Sequence, residues 1–292
     1  MPAPLHPDLQ QALNKKRAEK KFDAEKWIND KCTKLNDYMR RCGLKCCVTS
    51  ISGGIDSAVV IALCARAMKM EKSPIQKNIG ICQPIHSSEW ALQRGKENIA
   101  SCGATEIVID QTDLHSQLAT LIENSVGIQG KDFARGQLRS YMRTPPGFYV
   151  AQLFSQEGTP AIVMGTGNKD EDFYLGYFCK AGDGVVDVQI ISDLHKSEVF
   201  AVAAQLGVPV NTRDAPPSAD LWEAQTDEDE LGFPYDFVEF FTDAYLRFSE
   251  TEKMKFVKGL SQEASDQFEH YTALCEGVHR RNAHKLNGVI NL

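Results

Sequence analysis

Apolar and polar positions divide the chain into short buried strands that alternate with helices. Apolar runs predict strands that begin at Cys46 and cover residues 79–84, 105–110 and 161–164, with a possible fifth over 185–191. Helical spacing lies between them, over residues 57–70, 88–102, 114–125 and 194–206. Strands joined by helices make right-handed crossovers, so we predict an α/β fold with a doubly wound parallel sheet and ligands at the carboxyl ends of its strands.

The segments before and after this pattern add helices to it. Residues 8–41 are predicted to be helical because apolar residues recur there at spacings of three and four: Ile28, Cys32, Leu35, Met39 and Cys42. Residues 131–143 predict another helix, which Pro145, Pro146 and Gly147 should interrupt before residues 148–154. Two further helices are expected over about 235–247 and 261–276. We predict one domain over 1–292, with a helical extension at 1–45 and a core at 46–285.

A polar segment over residues 214–232 interrupts the regular pattern. It contains Pro216 and Pro217 and the acidic run 227–230, which we interpret as a solvated surface. Loop-forming prolines and polar composition suit a mobile cover over a binding site. This segment is our candidate lid.

Composition narrows the class of protein. Of 292 residues, 42% are hydrophobic and 24% are charged, and the net charge is −7, which argues against a surface that binds nucleic acid. The nine cysteines form no C-x-x-C pair, which favours a reducing compartment and no zinc site. No signal peptide and no run of about 20 apolar residues is present, so we expect a cytoplasmic protein with no membrane segment.

The chemistry centres on Ser52-Gly53-Gly54-Ile55-Asp56-Ser57, which follows the first strand and leads into a buried helix. Adjacent glycines let an anion approach backbone N–H groups beside a helix N-terminus. Serine hydroxyls add donors, and Asp56 can hold Mg²⁺. The glycines by themselves would equally suit close packing of strand and helix. The whole string resembles the pyrophosphatase loop of the ATP-pyrophosphatase (N-type) superfamily, an adenine nucleotide alpha hydrolase-like fold, which implies attack at the α-phosphate of ATP.

Later motifs select one branch of that superfamily. In chain order they are F-A-R (133–135), G-T-G-N-K-D-E (165–171), G-Y-F-C-K-A-G-D-G (176–184), D-L-H-K-S-E-V (193–199), P-S-A-D-L (217–221), Q-T-D-E-D-E-L-G (225–232) and H-K (284–285). Together with the loop, this series resembles NAD synthetase. The resemblance implies a ligase of NAD biosynthesis: ATP adenylates the nicotinate carboxylate of deamido-NAD, pyrophosphate leaves, and ammonia displaces AMP. It also implies a homodimer.

The resemblance assigns roles residue by residue. It implies Mg²⁺ binding by Asp56 and Glu171, and catalysis by Asp56 and Lys196. For ATP it implies Ser50, Ile51, Ser52, Gly53, Gly54, Ile55, Asp56, Ser57, Thr166, Lys196 and Ser218. For deamido-NAD it implies Arg135, Lys180, Asp187, His284 and Lys285. A carboxylate is already ionised at neutral pH, so its attack on phosphorus needs charge neutralisation and positioning rather than a general base.

Several assignments keep an alternative. Between Thr166 and Gly176 the chain is one residue longer than shorter family members, so the second metal carboxylate is either Glu171 or Asp172. Gln137 stands where the family often has a basic residue, so that basic contact with the substrate is either absent or supplied by Arg139. Asp187 also fits the outward position of a half-buried strand, and Cys179 fits a packing role.

The number of residues before Cys46 bears on the source of the nitrogen atom. Only 45 residues precede Cys46, too few for the amidase domain of glutamine-dependent members, so we expect free ammonia as the substrate.

Two other functions compete with this one. The competing enzyme is another ATP-pyrophosphatase, such as a tRNA-thiolating or GMP-synthetase-like protein. A non-catalytic adenine-nucleotide-binding protein on the same sheet is the alternative outside enzymes.

Overall fold

A five-stranded parallel sheet forms the centre of the molecule, as seen in a computed structural model that describes residues 2–218 and 226–291. The strands are β1 (Cys46–Ser50), β2 (Lys77–Cys82), β3 (Thr105–Val108), β4 (Ala161–Gly165) and β5 (Val188–Gln189), in the order β3-β2-β1-β4-β5. Val48 of β1 lies between Ile79 and Val163. The order reverses between β1 and β4, and ligands of such sheets bind outside the strand ends at this point.

Helices cover both faces of the sheet and extend beyond it. They are α1 (Pro7–Lys20), α2 (Ala24–Arg41), α3 (Ile55–Met68), α4 (Glu89–Cys102), α5 (Thr112–Val126), α6 (Asp132–Gln156), α7 (Lys196–Leu206), α8 (Val210–Arg213), α9 (Asp227–Leu231), α10 (Tyr235–Asp243), α11 (Glu250–Lys258) and α12 (Gln262–Leu286). A π-helix covers Asp170–Leu175 and a 3₁₀ turn covers Tyr245–Arg247. The predicted α/β class is confirmed.

Side-chain alternation along β1 builds two core layers. Cys47 packs with α2, α3 and α7 on one face, whereas Cys46 and Val48 pack against Val150 of α6 on the other. A third apolar cluster joins α1, α10 and α12 through residues such as Leu9 and Phe237. The first two clusters hold the strand ends in place, and the third holds the helices that border them.

The predicted helix over residues 8–41 is in fact two helices. Lys21 adopts a left-handed conformation with φ of 49°, and the Asp23 side chain accepts a hydrogen bond from the N–H of Lys26. Asp23 thereby caps the start of α2. Because of this turn, Leu9 and Leu13 face α10 while Ile28 and Cys32 face α3.

The predicted break at Pro145 and Pro146 is wrong, because α6 runs through both prolines. Each proline removes one helical N–H and costs about 3 kcal/mol in an isolated helix. The helix is held from outside, since Val150 and Ala151 are buried against the sheet and Thr144 donates to the carbonyls of Ala181 and Gly182. Tertiary packing therefore outweighs the local preference.

The segment over 214–232 is more ordered than predicted. Asp227 to Leu231 form α9, and Asp227 is only 6% exposed, so the interpretation of the acidic run as a fully solvated surface is wrong. Residues 219–225 of the candidate lid lie outside the described residues. The sequence also missed α11, and only residues 188–189 of the possible strand over 185–191 form one. Among the described residues, no helix is long and apolar enough to cross a membrane.

Candidate active site

The Ser-Gly-Gly loop joins the end of β1 to α3. Gly53 has φ of +86°, and a Cβ there would collide with the carbonyl oxygen of Ala91 in α4, so this glycine is needed for packing. Ser57 accepts a hydrogen bond from the N–H of Ser52 at 3.3 Å, and the Ser52 hydroxyl accepts one from the N–H of Gly54 at 3.2 Å. The two serines fix the shape of the loop from within.

A cavity of about 450 Å³ opens where β1 and β4 end. Most of the residues assigned to ATP line it: Ser50, Ile51, Ser52, Gly54, Ile55, Asp56, Ser57, Thr166, Lys196 and Ser218. Gly53, the remaining one, lies behind the loop against α4. Glu171 and Lys285 also line the cavity. The structure therefore brings together side chains from five separate parts of the sequence.

Lys196 is the central charge of this cavity. Its Nζ donates to Oδ2 of Asp56 at 2.7 Å and to Oε1 of Glu171 at 2.8 Å, and its side chain is only 5% exposed. Burial disfavours the ammonium, but the two carboxylates outweigh it and raise the pKa of Lys196 above its ordinary value. Lys196 is thus a permanent buried cation, unlike a solvent-facing lysine.

The two carboxylates respond differently to the same cation. Burial raises the pKa of Asp56, and Lys196 only partly offsets this effect. Burial also acts on Glu171, but the ion pair with Lys196 and the hydrogen bond from Tyr235 outweigh it and lower the pKa of Glu171. Both groups accept a hydrogen bond from the ammonium of Lys196, and this shared cation favours their charged forms.

Asn168 connects these carboxylates. The sequence did not predict this residue as part of the site. It is fully buried; its amide nitrogen donates to Oδ1 of Asp56 at 3.0 Å, and its amide oxygen accepts from the N–H groups of Asp170 and Glu171. Asn168 therefore caps the π-helix and orients Asp56 at once. Its place inside the G-T-G-N-K-D-E motif was the available signal.

Tyr235 and Asp227 are two further residues of the site that the sequence did not predict. The Tyr235 hydroxyl lies 2.7 Å from Oε1 of Glu171 and 3.1 Å from Oδ2 of Asp227, and its ring faces Nζ of Lys196 at 4.9 Å from the centroid. Burial and the nearby Glu171 raise the pKa of Asp227 to about 7. The hydrogen bond from Tyr235 acts in the opposite direction and lowers the pKa of Asp227, but it does not outweigh burial and the charge of Glu171. A single tyrosine in an apolar helix carries no sequence signal of this contact.

Glu171 and Asp172 lie in different surroundings. Glu171 contacts Lys196, whereas Oδ2 of Asp172 accepts from Nε2 of Gln189 at 3.1 Å and lies against Gly167. Burial and the charge of Glu171 raise the pKa of Asp172 to about 8. Glu171 is the carboxylate that shares a cation with Asp56.

A buried charged cluster supports the start of α7. His195 is fully buried, with Nδ1 2.6 Å from Oδ1 of Asp170 and Nε2 3.1 Å from Oδ2 of Asp243. Burial disfavours its charge, but these carboxylates raise the pKa of His195 to about 9. Asp170 also accepts the N–H of Lys196 at 2.7 Å, so this cluster fixes the backbone on both sides of the central ion pair.

The residues assigned to deamido-NAD are only partly brought together. Lys285 lines the cavity and donates to the carbonyls of Gly176 and Phe178. Lys180 donates to three carbonyls at the end of α12, and exposed His284 bonds to the Arg281 carbonyl. Asp187 accepts the N–H of Val163 at the sheet edge.

Arg135 lies on the other side of α6. It forms an ion pair with Glu123, with Nη2 2.8 Å from Oε2, and lines a second cavity with Arg139, His86 and His115. The main cavity instead receives Arg94, Arg143 and Arg281, which the sequence analysis did not select. Cys179 is buried, as the packing interpretation expects.

The donor set fits a magnesium ion in one specific way. Among the residues described, no group of three or more histidine, cysteine, aspartate or glutamate side chains is arranged to hold a metal. Asp56 and Glu171 nevertheless converge on one cation, Lys196, at hydrogen-bond distance. Mg²⁺ commonly uses one or two carboxylates and completes its shell with water and substrate phosphates. The two carboxylates therefore suit a metal that arrives with a nucleotide.

Comparison with known proteins gives a consistent family. The family model described as NAD synthase matches residues 27–287. The NH₃-dependent NAD⁺ synthetase of Alkaliphilus oremlandii is 32% identical over 257 residues, which cover 86% of this chain and 90% of that protein. The NH₃-dependent NAD⁺ synthetase of Methanococcoides burtonii is 37% identical over 198 residues, covering 68% of this chain and 70% of that protein.

Solved structures agree with the fold. The NMN synthetase of Francisella tularensis has a TM-score of 0.75 at 25% identity, with 93% of this chain and 99% of that chain covered. The NH₃-dependent NAD synthetase of Campylobacter jejuni has a TM-score of 0.67 at 22% identity, with the same coverage. A glutamine-dependent NAD⁺ synthetase of Acinetobacter baumannii is matched over only 46% of its length, by 92% of this chain, at 18% identity and a TM-score of 0.57.

Proposed function

The chain belongs to the NAD synthase family, and from this membership we propose how its residues carry out the ATP-dependent amidation of deamido-NAD. The enzyme is a ligase that forms a carbon–nitrogen bond with ammonia and releases AMP and pyrophosphate. The observation that carries the residue assignments is the meeting of the Ser-Gly-Gly loop with the Asp56–Lys196–Glu171 ion pairs in one cavity. Cleavage of ATP at the α-phosphate needs both a phosphate-binding loop and a fixed positive charge.

In the first step, a carboxylate oxygen of deamido-NAD attacks the α-phosphorus of ATP and the bond to the β-phosphate bridging oxygen breaks. The electron pair leaves with pyrophosphate, so negative charge grows on the departing group. The loop N–H groups and the ammonium of Lys196 stabilise that charge. Lys196 serves this role at any physiological pH because its pKa lies far above neutrality.

We assign a bound Mg²⁺ to Asp56 and Glu171. When bound, the ion neutralises phosphate charge and orients the leaving group. Lys196, which lies beside both carboxylates, would supply a second positive charge to the phosphates. Asn168 and Tyr235 keep Asp56 and Glu171 in place.

In the second step, ammonia attacks the carbonyl carbon of the acyl-adenylate and the bond to the AMP oxygen breaks. Neutral ammonia carries the lone pair, so a proton is lost as the amide forms. Water competes for the same intermediate and must be excluded. We propose the segment over 214–232 as the cover, supported by Ser218, Asp227 and Leu231 at the cavity wall.

For deamido-NAD we propose Lys285 as the cation inside the cavity, supported by its position there, where two carbonyls hold its side-chain nitrogen in place. Arg135, Lys180, Asp187 and His284 remain proposals from the family pattern. Each lies outside the cavity of a single chain, so their contribution requires a substrate that extends beyond it or a second chain.

The test is an incubation with ATP, Mg²⁺, ammonium and deamido-NAD. We expect NAD and AMP in equal amounts, and we expect glutamine in place of ammonium to give none. AMP formation without NAD would contradict the amidation step. ATP turnover independent of the pyridine substrate would favour a different ATP-pyrophosphatase.

The likeness to an NMN synthetase gives a second candidate substrate, the nicotinate mononucleotide that lacks the adenylyl half. Its TM-score of 0.75 exceeds the 0.67 of the Campylobacter jejuni NAD synthetase. The reacting carboxylate is the same in both substrates. Measuring kcat/KM for the mononucleotide beside the dinucleotide decides between them, and we expect the dinucleotide to be preferred.

We further propose a homodimer that associates through α5 and the start of α6. This face exposes six large apolar side chains: Leu114, Leu121, Ile122, Val126, Ile128 and Phe133. Exposed apolar side chains concentrated in one short stretch of the chain are what a protein–protein interface would cover.

We propose one domain over 1–292 and a cytoplasmic location. The first is supported by α1 and α2, which pack into the same clusters as α10 and α3. The second is supported by the nine cysteines, all within the described part and all free thiols, as a reducing compartment would keep them.

A further inference from the structure

Helix α1 precedes the part of the chain that the family model matches, which begins at residue 27. It is nevertheless firmly docked, because Leu9 and Leu13 are almost completely buried in a cluster with Phe237 and Phe241 of α10. The last turn of α1 therefore has a fixed position beside α7 and α10.

Two cations in that last turn bind buried carboxylates. Arg17 binds Glu239 through Nε at 3.0 Å and Nη2 at 2.6 Å, and its Nη2 lies 2.6 Å from Oδ1 of Asp236. Lys20 Nζ lies 2.6 Å from Oε1 of Glu198. The side chains of Glu239 and Glu198 are each only 7% exposed. Water therefore cannot replace the cation that each carboxylate binds.

These carboxylates hold the residues on either side of Lys196. The second oxygen of Glu198 accepts the backbone N–H of His195 at 3.1 Å. Oε2 of Glu239 accepts the hydroxyl of Ser197 at 2.7 Å. Lys20 also lies 3.7 Å from Asp243, which pairs with His195. Residues 195 and 197 are thus fixed by groups whose charge α1 neutralises.

We propose that Arg17 and Lys20 are positioning residues for catalysis, which place the ammonium of Lys196 by clamping the start of α7. We call this set, Arg17 and Lys20 with Glu198 and Glu239, the α1 clamp. The inference rests on the proposed role of Lys196 toward the phosphates of ATP. Loss of either cation leaves a buried carboxylate unpaired, and that carboxylate then moves or recruits another cation. Either response shifts the backbone beside Lys196.

The test uses the full chain with Lys20→Met, Lys20→Arg and, as a matched control, Lys15→Met. Lys15 lies on the same helix and is exposed, with no ion pair to any described residue. We expect Lys20→Met to lower kcat/KM for ATP about tenfold, since small misplacements of catalytic groups carry such costs. Lys20→Arg should recover most of the loss, and Lys15→Met should stay within about twofold of wild type.

A second pair of variants separates positioning from general stability. Adding Glu198→Gln to Lys20→Met removes the unpaired charge while an amide oxygen still accepts the His195 N–H, so kcat/KM should rise at least about threefold over the single variant. If Lys20→Met alone does not fold, the double variant is compared with the wild type instead. A Lys20→Met enzyme with a lower melting temperature but wild-type kinetics would overturn the proposal.

Formation of NAD by the wild type tests the proposed function separately. If the wild type binds ATP without forming NAD, the ratio of ATP affinities between wild type and Lys20→Met, measured by calorimetry, tests the clamp. Equal affinities would then reject it.

Discussion

The Nζ of Lys196 and the Oδ2 of Asp56 are 2.7 Å apart, although 140 residues separate them in the sequence. Lys196 begins α7, which follows β5, and Asp56 lies in the first turn of α3, which follows β1. In the sheet, β4 lies between these two strands. A protein cation, Lys196, therefore occupies the space beside Asp56 in this structure. On the proposed assignment of Mg²⁺ to Asp56, this pair would rearrange when ATP binds with the metal.

Replacing Asp56 by asparagine keeps the shape of the side chain and removes its charge. We expect kcat to fall by about 10² to 10³, a loss typical of removing a preorganised electrostatic group. Folding should persist, because burial already disfavours the carboxylate charge at this position. Asp30→Asn, at an exposed residue of α2, is the control. Steady-state kinetics and circular dichroism check both points, and a near-normal rate would show that the metal is held elsewhere.

Tyr235→Phe removes one hydroxyl and keeps the ring that faces Lys196. A hydrogen bond to a charged group is worth about 1.5–3 kcal/mol, so we expect kcat/KM to fall about tenfold or more. Asp227, which shares this hydroxyl, should then titrate at a different pH. Tyr38→Phe, on α2 and away from the cavity, should have no effect. Unchanged kinetics in Tyr235→Phe would remove Tyr235 from the positioning of Glu171.

His195 makes stability depend on pH. Its pKa is about 9 in the folded state against 6.5 for an unperturbed histidine, so the folded protein binds the proton more tightly. The stabilisation is complete below about pH 6.5 and is lost as the pH rises through 9. A difference of this size corresponds to about 3 kcal/mol. Urea unfolding between pH 6 and pH 10 should show this fall.

The fall should be absent in His195→Gln and present in His270→Gln, which changes an exposed histidine on α12. An unfolding free energy that stays level from pH 6 to pH 10 in the wild type would mean that His195 is neutral in the folded protein.

Gly53→Ala tests the loop independently of ligands. Gly53 and Gly103 both have positive φ, but a Cβ at Gly103 meets nothing within 4 Å whereas one at Gly53 meets the carbonyl of Ala91. Gly103→Ala should cost about 1 kcal/mol of unfolding free energy from backbone strain. Gly53→Ala should cost about 2 kcal/mol more, because the collision is with backbone. Equal costs would show that α4 yields easily to the loop.

The proposed dimer is tested by charge on its apolar face. Wild type should sediment at twice the 32.5 kDa chain mass, and Leu121→Glu should sediment as a monomer. Leu121 is 65% exposed in the single chain. Met254→Glu, at an exposed apolar residue on α11, should remain a dimer. A monomeric wild type would reject the interface.

The parallel sheet and the loop could be predicted because their signals are local. Strands such as β4 are uninterrupted apolar runs, and the string from Ser52 to Ser57 carries glycines and hydroxyls at fixed spacing. Burial of Lys196 followed from its motif and not from its helix, whose pattern by itself predicts a solvated charge.

The features that could not be predicted depend on which way a side chain points in the folded chain. Arg135 matches a family position, yet it points to Glu123 across α6, because a motif gives order along the chain and not the face of a helix. Pro145 was interpreted as a break because packing of Val150 on the sheet is a long-range contact. Tyr235 reaches Glu171 across 64 residues, and a tyrosine in an apolar run is ordinarily a core residue.

The π-helix over Asp170–Leu175 has a consequence for how the family varies in length. A π-turn contains one more residue than an α-turn, so it absorbs a single insertion without shifting the helix ends that flank it. At its two ends Asn168 binds Asp56, and the carbonyl of Leu175 accepts a hydrogen bond from Asn282 of α12. A change of one residue between Asp172 and Leu175 should therefore disturb the fold less than the same change between Gly165 and Glu171, where Asn168 and Glu171 are held in contact with Asp56 and Lys196.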